Sequence, residues 1–207
     1  MKKHLLVLPV VCILVLAISP NGYAANKAPT TSHIELLDKA TMEKLVIVEA
    51  PANQHFLSDL MGDWDFDLKY WSKKDADWEL STGTATNEMI LGGRFLSSTL
   101  RTVLNIGGNT IAYEARSFLG YDAGRKSYTS TLIDTLHSGV TTGSGQYNEK
   151  TKSLEEKGTF TNPAIGKERG YRSELQITGA GYKRTVFITD TAGQEFKVLE
   201  IDFRRKQ

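Results

Sequence analysis

A single cysteine stands in 207 residues, at position 12. One thiol excludes both a disulfide scaffold and a cysteine-based zinc site. Neither sign of charge is in surplus, with 25 Lys and Arg against 24 Asp and Glu. A nucleic-acid binder normally carries a basic excess gathered on one face, so that class is set aside. Prolines number five and apolar residues make up 40% of the chain, a composition that excludes wholesale disorder. Histidine is scarce: after His4 come only His33, His55 and His137, no two of them near enough for a local metal pair. The H-E-x-x-H pattern and the G-x-S-x-G elbow are both missing. Gly139, Gly143 and Gly145 are followed by no helix, which rules out a phosphate loop; they fit a strand bend or a close approach of backbones.

The one long apolar run lies at the start. Lys2, Lys3 and His4 precede Leu5–Ile18, and Gly22 and Ala24 then supply small residues ahead of Ala25. Those are the parts of a cleavable secretory signal, residues 1–24, with the cut expected between Ala24 and Ala25. The run falls short of the about 20 residues that span a bilayer. Cys12 sits inside it rather than at its end, so lipidation is not expected. Cleavage leaves a cysteine-free chain suited to an oxidising compartment, periplasmic or secreted, with no membrane span.

Residues 25–31 are polar, carry Pro29 and read as a linker. Ser32 and Glu35 have capping-box spacing. Ile34, Leu37, Met42, Leu45 and Val48 then recur near helical period up to Pro51. A second short helix is expected over 52–61, with Phe56, Leu57, Leu60 and Met61 on one side. Residues 32–61 thus form a helical N-terminal segment. From Gly62 the period becomes two: Trp64, Phe66, Leu68 and Tyr70 alternate with Asp63, Asp65, Asp67 and Lys69. Nine more strand-like runs follow, near 79–90, 94–104, 110–120, 127–134, 139–147, 153–161, 168–178, 181–189 and 195–204. Turn chemistry such as Gly107-Gly108-Asn109 and Gly179-Ala180-Gly181 separates them. The fold expected for 62–205 is all-β: one antiparallel up-and-down barrel of about ten strands, closed to remove its edges, with a short helical plug.

Two sets of residues resemble known families. Gly62-Asp63-Trp64 is similar to the Gly-x-Trp start of lipocalins and other calycin barrels, in which a basic side chain of the last strand covers the Trp; Arg204 or Arg205 would do so here. The run Ser81–Leu96, with Gly120-Tyr121-Asp122, Tyr128–Asp134 and Lys197–Ile201, resembles the bacterial DUF1579 family across about 55–205. That resemblance implies the barrel but no reaction, because the family carries no established activity. Members of the broader barrel group bind lipids, other hydrophobic small molecules or haem.

A barrel of about ten strands is wider than its side chains just fill. Trp64, Phe66, Tyr70, Tyr113 and Tyr128 are expected inside. Glu88, Arg94, Asp134, Arg172, Glu174 and Glu200 fall where alternation allows them to point inward. Such charges either form cross-strand or register-fixing pairs, anchor a ligand, or act as acid and base. His55 is assigned to the plug and His137 to a rim turn, and the clusters Lys73-Lys74, Lys183-Arg184 and Arg204-Arg205-Lys206 to solvated surface. The leading reading is an exported barrel that binds a small hydrophobic or amphipathic molecule, its site drawn from Trp64, Phe66, Tyr70, Glu88, Arg94, Tyr113, Asp134 and Glu200. No metal or cofactor is expected. The alternatives are an enzyme using inward carboxylates on a hydrophobic substrate, and an envelope scaffold that docks a partner through 32–50.

Overall fold

The computed structural model describes residues 55–71, 77–162, 166–190 and 192–207. The expected leader, linker and first helical run lie outside these residues. A short helix, α1 (His55–Asp59), leads into β1 (Gly62–Tyr70), β2 (Glu79–Ile90), β3 (Phe95–Ile106), β4 (Asn109–Asp122) and β5 (Ser127–Asp134). The chain continues through β6 (Thr141–Asn148), β7 (Ser153–Asn162), β8 (Lys167–Ile177), β9 (Gly181–Thr189) and β10 (Glu195–Arg205). Every strand pairs antiparallel with its sequence neighbours. β10 returns to β1, from Trp64 opposite Arg205 to Tyr70 opposite Leu199, closing a ten-stranded barrel with no free edge.

Alternation decides the two faces. In β1, Trp64, Phe66 and Leu68 are buried while Asp63 and Asp65 are exposed. Tight turns carry the meander. Gly107 and Gly108 both have positive φ, +58° and +81°, as a two-residue hairpin loop requires if its twist is to match the strands it joins. At β10 the register against β9 shifts between Lys197 and Leu199. That irregularity brings the consecutive residues Val198 and Leu199 both to the barrel interior.

One end of the barrel is packed solid. α1 inserts Phe56 and Leu57, and Leu60 follows them; none exceeds 3% exposure. The Phe56 ring stacks on Tyr147 at 4.3 Å and meets Tyr128 edge-on at 4.9 Å. Trp64 lies edge-on to Tyr182, which stacks on Phe203. The Trp64 indole N–H donates to the Leu60 carbonyl at 2.9 Å, so this buried donor is satisfied. Arg205 lies over the indole, 4.5 Å from its centroid, and donates to the Met61 carbonyl. Arg204 instead pairs with Asp67 on the outside. Of the apolar side expected for the plug helix, Met61 alone is left exposed.

Candidate ligand cavity

Above this floor the interior is not filled. A cavity of about 430 Å³ runs toward the opposite end of the barrel, within the usual size of a small-molecule site. Its walls are chemically unequal. The side formed by β1–β4 and β10 is largely aliphatic, with Leu68, Ala85, Leu100, Leu104, Leu119 and Leu199 facing in. The side formed by β5–β9 carries a polar cluster one residue layer above the floor.

Glu156 is the centre of that cluster. It follows Leu154 by two positions along β7, so the pleat turns it inward, and it is 4% exposed. Four donors surround its carboxylate. Ser130 Oγ and Tyr171 Oη donate to Oε1, the tyrosine at 3.0 Å, while Ser173 Oγ and Arg184 Nη2 donate to Oε2 at 3.4 and 3.2 Å. Arg184 Nη2 also reaches Ser173 Oγ at 3.3 Å. Arg184 faces inward because it lies between Tyr182 and Val186 on β9, both of them cavity-lining residues. The assignment of Lys183-Arg184 to solvated surface therefore holds for one member only: Lys183 is outside, bonded to Asp202, and Arg184 is inside.

Glycines make the space for this arrangement. Gly143 and Gly158 are cross-strand partners. A Cβ on Gly143 would overlap the Glu156 carboxylate and the Tyr171 hydroxyl; one on Gly158 would meet backbone of β6 and the Tyr171 ring. Gly145 brings its backbone against Glu155, the close approach expected from its sequence. Burial, reinforced by the Glu156 charge, raises the Tyr171 hydroxyl pKa well above its ordinary value.

A second polar group lies toward the open end. Asp134 closes β5 and accepts the backbone N–H groups of Leu136 and His137 at 2.7 and 3.0 Å. His137 Nδ1 lies 2.7 and 2.8 Å from its two carboxylate oxygens. Tyr113 bonds to the same carboxylate, and burial first and that charge second raise its pKa. The carboxylate requires a proton on Nδ1, while Nε2 has no hydrogen-bond partner among the described residues. The imidazole lines the cavity and stands edge-on to Phe160 at 6.4 Å, so it is more than an exposed turn residue.

The sequence-derived site divides in the structure. Tyr70 and Tyr113 line the cavity, and Asp134 reaches it through Tyr113 and His137. Trp64 and Phe66 point inward but belong to the packed floor, with Phe66 against Phe203 and the backbone at Gly83. Glu88 is exposed, because Asn87 and Met89 hold the inward phase of β2. Arg94 sits in the β2–β3 turn and donates to the Leu91 carbonyl. Glu200 lies outside as well, between the inward Leu199 and Ile201, among Lys197, Lys69 and Lys183 at 2.8, 3.5 and 3.6 Å. Arg172 pairs outward with Glu195. Glu156 and Arg184, absent from the expected site, had one legible signal: each interrupts an apolar phase, Leu154-x-x-x-Gly158-x-Phe160 and Tyr182-x-x-x-Val186. Asn87 shared that signal. Its amide donates to the Leu60 carbonyl and Tyr182 Oη, while its buried Oδ1 has no partner among the described residues.

Comparison with known proteins supports the fold and stops short of an activity. The structure is similar to the crystal structure of Rv2717c from M. tuberculosis, with a TM-score of 0.57 and 16% sequence identity over 76% of this chain and 99% of that one. No curated protein matches the sequence. Residues 49–205, which include the whole of the described barrel and its plug helix, match the family described as "Protein of unknown function (DUF1579)", and the chain belongs to that family.

Proposed function

We propose that this is an exported, calycin-like barrel that binds a small, largely apolar molecule non-covalently in its interior. The observation that carries this reading is the cavity of about 430 Å³ with an aliphatic wall facing a buried, hydrogen-bonded polar cluster. Apolar space with a few placed polar groups is the usual form of a small-molecule site. Close packing is the default for protein interiors, so a void this size above a dense floor is kept at a cost in lost contacts. Native mass spectrometry on the protein isolated from the periplasm of an expressing bacterium tests both halves of the proposal. The expected result is a chain beginning at Ala25 with an added mass that leaves on denaturation. A barrel that stays bare there and in the presence of a panel of amphipaths removes the binding reading. A chain retaining residues 1–24 removes the leader.

A second reading, an enzyme acting on a hydrophobic small molecule, is favoured by the Asp134–His137 pair at the cavity, a carboxylate-oriented imidazole of the kind used in acid–base catalysis. It predicts slow turnover of an activated alkanoate ester that follows a histidine-like pH profile and disappears in His137→Ala. Equal turnover by that variant removes it.

A further inference from the structure

Resting on the binding reading above, the geometry points to the class of ligand: we infer that the cavity takes a single-chain amphipath with an anionic head, held head-down by Arg184. The carboxylate of Glu156 and the guanidinium of Arg184 form one ion pair, but they are not equally available. The Glu156 side chain is 5% exposed, and its two oxygens already accept from Ser130, Tyr171, Ser173 and Arg184. It has neither room nor need for another donor. The Arg184 side chain is 25% exposed and lines the cavity. Its protein bonds all leave from Nη2, to Glu156 and Ser173; Nε and Nη1 have no acceptor among the described residues. A guanidinium offers five donors in a rigid fork matched to a carboxylate.

Three hydroxyls, from Ser130, Tyr171 and Ser173, also donate to Glu156, so its oxygens are not served by Arg184 alone. The group left wanting a partner in this apolar chamber is therefore the cation, and the partner it fits is an acceptor, best an anionic one. Depth sets the orientation. Arg184 lies one inward position above the floor residue Tyr182, and Val186 and Ile188 continue along the same strand toward the open end. With Leu104, Leu132 and Leu199 they offer an aliphatic sleeve to the tail. A ligand with its head on Arg184 buries its chain along this sleeve, whereas the reverse orientation would bring an anionic head beside the Asp134 carboxylate at the open end and lay the chain against the guanidinium.

The experiment is calorimetric titration of the purified protein with three probes of equal chain length, dodecanoate, dodecanol and dodecylammonium, each below its aggregation concentration. The expected order places dodecanoate about tenfold tighter than dodecanol, the worth of one charge-assisted hydrogen bond, with dodecylammonium weakest. Arg184→Met abolishes the preference for carboxylate over alcohol. Because that change strands Glu156, the pair Glu156→Gln with Arg184→Met is measured too, and it also shows no preference. Glu156→Gln alone removes the competing carboxylate and tightens dodecanoate binding several-fold. Equal affinities for acid and alcohol, or a preference that survives the double variant, overturn the assignment of the head group and leave the cavity reading intact. Strongest binding of dodecylammonium overturns it in favour of Glu156 as the anchor. Failure of all three probes to bind removes the cavity reading and this inference together.

Discussion

At the scale of single residues, the interior Glu156 and the outward Glu200 differ in their partners, one ion and three hydroxyls against three lysines. Glu156 accepts from four donors inside the barrel, of which Arg184 is the only ionic one. Removing one partner of a buried pair leaves an uncompensated charge, whereas removing both leaves none. Arg184→Met is therefore expected to lower stability by about 3 kcal/mol, at the low end of the usual range because its side chain is partly exposed, while adding Glu156→Gln restores most of the loss. Urea unfolding of the two variants checks this; equal losses would mean that packing rather than charge is at stake. Glu200 sits among three lysines on the outer face, and its bond to Lys197 holds its carboxyl below the ordinary glutamate value. A lowered folded-state pKa means a contribution fully present above the unfolded value of about 4.3 and lost as the pH falls through the folded one. Glu200→Gln should thus destabilise the barrel at pH 7, and the gap from the parent should close progressively below about pH 4. Denaturant midpoints across that range give the answer.

At the scale of elements, the strand boundaries were legible because burial on one face imposes period two and turn residues interrupt it. The expected run 153–161 is observed as Ser153–Asn162, and 139–147 as Thr141–Asn148. Which side a charged residue takes was less legible. Glu155 and Glu156 are adjacent and identical, and only the phase of Leu154 and Phe160 tells them apart. Residues near a turn or bulge lose even that guide: Arg94 leaves the strand altogether, and the shift between Lys197 and Leu199 changes the phase just before Glu200. The inward glycines of β6 belong to this scale too, since they let two strands and the Glu156 cluster share one layer. Gly143→Ala places a methyl group on the Glu156 carboxylate and the Tyr171 hydroxyl, and a cost of about 1–3 kcal/mol is expected from overpacking. Gly107→Ala, whose Cβ meets nothing within 4 Å, is the comparison: its cost comes only from the left-handed turn, about 1 kcal/mol. Thermal unfolding of the two variants separates steric from backbone strain.

At the scale of the whole molecule, a closed barrel plugged at one end and hollow above the plug is a receptacle whose stability responds to what fills it. A ligand that binds only the folded state adds about 2.7 kcal/mol when present at a hundred times its dissociation constant. For a domain of this size that corresponds to a rise in Tm of roughly 5–10 °C. Dodecanoate should produce such a shift in the parent and a much smaller one in the Arg184→Met, Glu156→Gln pair; a shift of equal size in both would locate its binding elsewhere. The sequence by itself determined the ten-strand meander and the alternation of its faces, since period two and turn chemistry are local properties written into successive residues, whereas closure through β1 and β10 and the packing of Trp64 and Phe66 into the floor are long-range. Tertiary structure alone decided the site. Ser130, Glu156, Tyr171, Ser173 and Arg184 come from four strands, and neither cross-barrel distance nor the supply of hydrogen-bond partners to a buried charge is encoded in any one segment.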